Sequence, residues 1–185
     1  MVIVIVIVAL VLLLGLIYVL ARNGIIRLRN RCDEAWSGID VQLKRRHDLV
    51  PNLVESVKGY ATHERETFEK VTQARAAAMQ ASGPEEASKA ESQLTAALGG
   101  LRVVAEQYPQ LRATENFQQL QRNLSELEDE IQASRRIYNS NVQTYNTRIQ
   151  QFPGSIIANQ GGFTAKPFFE IGDAAEREAP QVSFT

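Results

Sequence analysis

The sequence predicts an all-α protein. An amino-terminal transmembrane helix continues into an elongated antiparallel bundle of long, coiled-coil-like helices, and the chain ends in a loop-rich tail. Three observations carry this expectation. Met1 to Ala21 contains no Lys, Arg, Asp or Glu, although 22% of the 185 residues are charged. Beyond it, apolar residues recur at three- and four-residue spacing almost to Phe152, the period of one helix face. The alternation of apolar and polar residues that marks a half-buried strand does not occur before Gly154.

In Val2–Ala21 the only polar side-chain group is the phenol of Tyr18. As a helix this segment is ~30 Å long, the thickness of a bilayer's hydrocarbon core. VIVIVIV has strong strand propensity in water. In lipid a lone strand leaves its backbone polar groups unpaired, so a helix is expected, with Tyr18 as an interfacial anchor. A cleaved signal peptide calls for a basic n-region, a shorter apolar core and a small-x-small cleavage site. The basic n-region is missing, the apolar run is longer, and Val19-Leu20-Ala21 lacks the small residues. The segment therefore reads as a retained anchor.

Arg22, Arg27, Arg29 and Arg31 follow it at once, so the positive-inside rule predicts an outer amino terminus and a cytoplasmic carboxy-terminal domain. From Arg22 to Arg46 seven basic residues oppose three acidic ones, whereas from His47 onward 13 basic residues face 18 acidic. This membrane-proximal excess suits anionic lipid headgroups, at up to about 1 kcal/mol per basic residue. Tyr18 and the four arginines form the expected membrane interface.

The expected body spans residues 22–153, with helices near 24–50, 51–82, 84–108 and 114–152. Trp36, Ile39, Leu43, Val50, Leu53, Val57 and Tyr60 step by threes, fours and one seven, and Phe68, Val71, Ala74 and Ala78 extend the stripe. Pro51 lies inside it and predicts a kink or break, because its ring lacks an N–H and crowds the His47 carbonyl. Ser82 and Glu85 have capping-box spacing around Gly83-Pro84. Leu94, Leu98, Leu101, Val104, Ala105 and Tyr108 mark the next helix, in which Gly99-Gly100 either weakens the helix or admits a close neighbour. Phe117, Leu120, Leu124, Leu127, Ile131, Tyr138, Val142, Tyr145, Ile149 and Phe152 give the clearest seam, with Ser134 and Asn141 as polar register positions. Glu128/Arg135 and Asp129/Arg136 are seven apart, hence on one helix face, so ion pairing along the helix or to a neighbouring helix is expected.

The tail, 154–185, is rich in aromatic residues. Part of it is expected to pack on the bundle; alternatively its apolar side chains meet another chain, with Phe163, Phe168, Phe169, Val182 and Phe184 as candidate partner-binding side chains and Val182 and Phe184 spaced as in an added strand. A net charge of −1 argues against a nucleic-acid binder working by bulk electrostatics. The single Cys32 excludes an internal disulfide, and no Cys/His set has zinc spacing. His47 and His63 stand ~24 Å apart along an unbroken helix axis, and His63-Glu64-Arg65-Glu66-Thr67 is not HExxH. Phosphate loops and nucleophile elbows are absent from the sequence. Lys44-Arg45-Arg46-His47 reads as a solvated face, or as a contact for an acidic partner or headgroup. No catalytic residue, metal ligand or cofactor site is expected.

Arg29–Glu64 (RNRCDEAWSGIDVQLKRRHDLVPNLVESVKGYATHE), YPQLRATENFQQLQ at Tyr108–Gln121, RRIYNSNVQTYNTRIQQFP at Arg135–Pro153, and GFTAKPFFE and PQVSF in the tail together resemble the LemA family over nearly the whole chain. Cys32 departs from a more usual valine. The resemblance implies a bacterial single-pass protein of the inner membrane with a cytoplasmic helical domain, in a family without an established enzymatic activity. It further implies links to HtpX-type membrane metalloproteases and to specialised intracellular membranes. The expected function is therefore a non-catalytic membrane-anchored scaffold of the LemA type, working with a membrane protease or in membrane organisation. Its expected partners are membrane lipids, such a protease, or further copies of the chain. The alternative is a metal-dependent enzyme or sensor using His47, His63 and nearby carboxylates, which needs a break at Pro51 to bring the histidines together.

Overall fold

The computed structural model describes residues 1–61 and 63–171. Among them every regular element is a helix: α1 (Val2–Lys58), α2 (Arg65–Gln80), α3 (Gly83–Glu106), α4 (Pro109–Arg112), α5 (Glu115–Gln150) and α6 (Gly154–Gly161). The chain divides into two compact units. Among the described residues one comprises Met1–Gly38 with Arg136–Phe168, the other Ile39–Arg135 with Phe169–Ile171, so both long helices contribute to both.

In the first unit every side chain from Met1 to Leu20 is exposed, and burial begins abruptly at Ala21. The start of α1 is thus one helix long and apolar enough to cross a membrane. From Ala21 onward α1 packs antiparallel to α5. The Trp36 and Tyr138 rings lie 5.6 Å apart between centroids, and Asn141 Nδ2 donates to the Arg31 carbonyl at 3.3 Å. Ala21, Ile25 and Cys32 are buried from α1, and Tyr138, Val142, Tyr145 and Ile149 from α5. These are the fours, threes and sevens of a helix–helix seam. Asn141 therefore sits on the seam as its spacing predicts, bonded to backbone.

After Gln150 the chain turns through a cis Phe152–Pro153 bond into α6. Residues 154–161 are helical where a loop was expected. Gly154 is required there, because a Cβ would fall inside contact distance of the Arg148 carbonyl. Gly162 closes α6 in the left-handed conformation, φ 65°, where glycine carries no Cβ penalty.

The second unit is a helical core. Val50, Leu53, Val54 and Val57 of α1, Phe68 and Val71 of α2, Leu94, Leu98 and Leu101 of α3, Leu111 of α4 and Phe117 of α5 are buried together. Three local expectations change here. Helix α1 does not break at Pro51 but runs to Lys58. The His47 carbonyl, deprived of its usual donor by the proline, instead accepts from Arg75 Nε at 2.7 Å. The stretch expected as one helix, 51–82, therefore belongs partly to α1 and partly to α2. At the α3 amino terminus the Ser82 side chain makes no cap; Glu86 Oε2 accepts from the Ser82 N–H at 3.0 Å, while Glu85 pairs with Lys89. Gly99 and Gly100 face open space, so no neighbour exploits their missing side chains.

Candidate functional site

Two features could carry function, one in each unit. In the membrane-proximal unit, Tyr18, Arg22, Arg27, Arg29 and Arg31 are all exposed. They follow one another along a single helix that leaves the apolar span without interruption. The tail comes back to this region. The Arg29 guanidinium lies over the Phe163 ring, 5.6 Å from its centroid. Tyr145 and Tyr138 donate their phenolic protons to the carbonyls of Thr164 and Pro167 at 3.0 and 2.9 Å. Asn146 binds both backbone groups of Lys166 at 2.9 Å, and Lys166 Nζ reaches Asp33 Oδ1 at 2.7 Å.

Residues 163–168 are thus pinned to their own helices, the first of the two readings of the aromatic tail. Phe163 is half-buried under Arg29, and Phe169 is wholly enclosed by its own chain in the second unit. Both side chains are used internally. Phe168 keeps 41% of its surface exposed. Val182 and Phe184 lie outside the described residues. Burial pushes the Tyr138 phenol up to about 12, and also raises Tyr145 and the Cys32 thiol.

The second unit holds a buried ionic layer. Arg46 is 1% exposed and Glu91 0%. Arg46 Nη1 meets Glu91 Oε2 at 3.2 Å, while its Nη2 reaches Glu128 Oε1 at 2.9 Å and Thr95 Oγ1 at 2.8 Å. His47 Nε2 stands 2.6 Å from Glu91 Oε1. The Lys44–His47 run is therefore not a uniformly solvated face, since α1 turns two of its four members inward. Nor does Glu128 pair with Arg135 along α5: Glu128 reaches Arg46, and Arg135 Nη1 donates to the Ile171 carbonyl at 2.9 Å. Burial raises the Glu128 carboxyl above its ordinary range despite the opposing Arg46 charge.

Beside this layer a groove of about 510 Å³ runs between α1, α3 and α5, bordered by Arg46, Leu53, Leu98, Gly99, Phe117 and Leu124. Sequence reasoning missed the layer, although its signal was present. Arg46 and His47 fill the seven-residue gap between Leu43 and Val50, and Glu91 sits on the stripe of Ala87, Leu94 and Leu98. A charge on an apolar stripe is a buried charge awaiting a partner.

The two histidines do not come together: His47 is held by Glu91, and His63 is exposed beyond the end of α1. Among the described residues no group of three or more His, Cys, Asp or Glu side chains is placed to hold a metal ion.

The family model that matches this chain is the LemA family, over residues 35–184. Protein LemA of Metamycoplasma hominis is 32% identical over 146 residues, covering 78% of this chain and 66% of the relative. A magnetosome protein MamQ of Paramagnetospirillum magneticum is 27% identical over 166 residues, 76% of this chain and 61% of its own length. Magnetosome protein MamQ of Magnetospirillum gryphiswaldense is 24% identical, covering 86% of this chain and 69% of the relative. The matched region thus spans about two thirds of the curated relatives.

Proposed function

The chain belongs to the LemA family, and from that premise we propose that it is a non-catalytic, membrane-anchored interaction protein. In this reading it is a single-pass protein of a bacterial inner membrane, with its helical domain in the cytoplasm. That domain engages a membrane protease of the HtpX type, another copy of the chain, or the lipid surface. One observation carries the reading most. Twenty consecutive exposed residues of the apolar span are continuous, through one unbroken helix, with a domain in which burial of apolar side chains begins at Ala21. Exposure of that kind is unfavourable in water, at about 25 cal/mol per Å² of apolar surface, and favourable in lipid.

Similarity to proteins named for the magnetosome supports the membrane-organisation side of the proposal. The buried ionic layer fits a structural role better than a reactive one, because its charges are spent on each other within the core. Crosslinking in intact membranes, followed by mild-detergent purification and mass spectrometry, tests the proposal. A membrane protease or further copies of the chain should be recovered reproducibly. Recovery of the chain alone, under conditions that capture a known membrane complex, would overturn the protease and self-association readings and leave the lipid surface as the only partner.

A further inference from the structure

We infer that the corner between α5 and α6 is a second membrane contact, which lays Phe152 and Ile156 into the interface of the bilayer that α1 crosses. The antiparallel register places it there. Asn141 of α5 is level with Arg31 of α1. Nine residues further along α5, about 13 Å, lies Gln150, and nine residues back along α1 lies Arg22, the first charge after the apolar span. The burial of Ala21 and Ile25 agrees, since the end of this unit packs down to the level where the exposed span stops.

At that level the corner presents apolar side chains outward. Phe152 is 80% exposed and Ile156 51%, while Ile157, Ala158 and Gly154 on the opposite side are buried. Asn159 and Gln160 continue the exposed side with uncharged polar groups. The sequence is suited to this depth: Ile149–Ala165 carries no Lys, Arg, Asp or Glu, the longest uncharged run outside the anchor. Exposed Arg148 and Arg22 stand at its margin, where their long side chains can reach headgroups. Gly154 holds the corner tight against α5, so the orientation of α6 is set by the fold. The occupant is lipid because the surface is continuous with the apolar span on the same unit. A short amphipathic helix beside such a span lies in the interfacial plane.

The proposal rests on membrane insertion of α1, and site-directed spin labelling of the full-length protein separates the two ideas. Single cysteines are introduced as Leu13→Cys, Ile137→Cys, Phe152→Cys and Ile156→Cys. The sole native thiol, Cys32, is fully buried, and the parent chain sets the background. In vesicles of phosphatidylethanolamine and phosphatidylglycerol, relaxation by oxygen and by a water-soluble nickel chelate reports depth. Labels at 13, 152 and 156 should favour oxygen. The label at 137, on an equally apolar and 60% exposed site of α5 but ~20 Å up the helix, should favour nickel. If 152 and 156 behave like 137 while 13 favours oxygen, the second contact is overturned and the anchor stands. If 13 also favours nickel, the anchor falls and the inference with it.

Discussion

Arg46 and Glu91 are buried where neither charge can be hydrated, so each depends on the other. Replacing one member of such a pair leaves an uncompensated charge, which costs about 3–5 kcal/mol, whereas replacing both by apolar residues is far milder. Glu91→Leu should therefore lower stability by that amount in urea unfolding, and adding Arg46→Met should recover a large part of the loss. Full additivity of the two would contradict the pairing. Arg75 makes a related prediction. Its Nε occupies the carbonyl that Pro51 leaves without a donor, so Arg75→Ala should cost about 1–3 kcal/mol. In a Pro51→Ala background, where residue 51 supplies its own N–H, most of that cost should vanish. Tyr138 adds a pH dependence. Its folded pKa of about 12 exceeds the unfolded value of 10, so the phenol contributes stability that is complete below pH 10 and is lost as pH rises towards 12. Tyr138→Phe should flatten this part of the alkaline stability curve. At this scale the sequence was least legible. A gap of seven in an apolar stripe marked the place of Arg46, but nothing local said that its partners would come from α3 and α5.

The expected helix 114–152 and the observed α5 differ by one residue at the start and two at the end, because its heptads continue across 36 residues without a breaker. Of the kink or break expected at Pro51, the break does not occur: the compensating donor is 28 residues away, and local propensity holds no information about it. The glycines divide in the same way. Gly99, Gly100 and Gly154 look alike in sequence, yet a Cβ meets nothing within 4 Å at the first two and a backbone carbonyl at the third. Gly99→Ala and Gly100→Ala should each stabilise α3 by about 0.5–1 kcal/mol, through the ordinary helix preference of alanine. Gly154→Ala should destabilise by about 1–3 kcal/mol, since the backbone must shift to accept it. Thermal unfolding followed by circular dichroism should show shifts of opposite sign. The same sign at all three positions would mean that the corner between α5 and α6 is looser than its geometry indicates.

On the scale of the whole molecule, the anchor and the helical class were legible because both are written in composition and period, which need no knowledge of distant contacts. The course of residues 163–168 was not. Those residues are held by Tyr138, Tyr145 and Asn146 through backbone atoms, and backbone acceptors have no side-chain signature. Orientation across the membrane is the remaining large-scale property, and it can be tested through the arginines just beyond the span. All four arginines are exposed, but Arg29 also lies over the Phe163 ring, so Arg22, Arg27 and Arg31 can be changed without disturbing that contact with the tail. In the proposed topology they hold the carboxy-terminal domain on the cytoplasmic side by the positive-inside bias. Changing all three to glutamine leaves Arg29 as the one basic residue of this stretch against Asp33 and Glu34, so that its net charge falls from +2 to −1. A carboxy-terminal fluorescent-protein fusion, which matures in the cytoplasm, should lose signal, while the matching phosphatase fusion, active only outside, should gain it. Helicity of the purified variant should be unchanged. If both reporters stay at parental levels, orientation is set by the folded domain rather than by this charge cluster, and the arginines are left with a lipid-binding role alone.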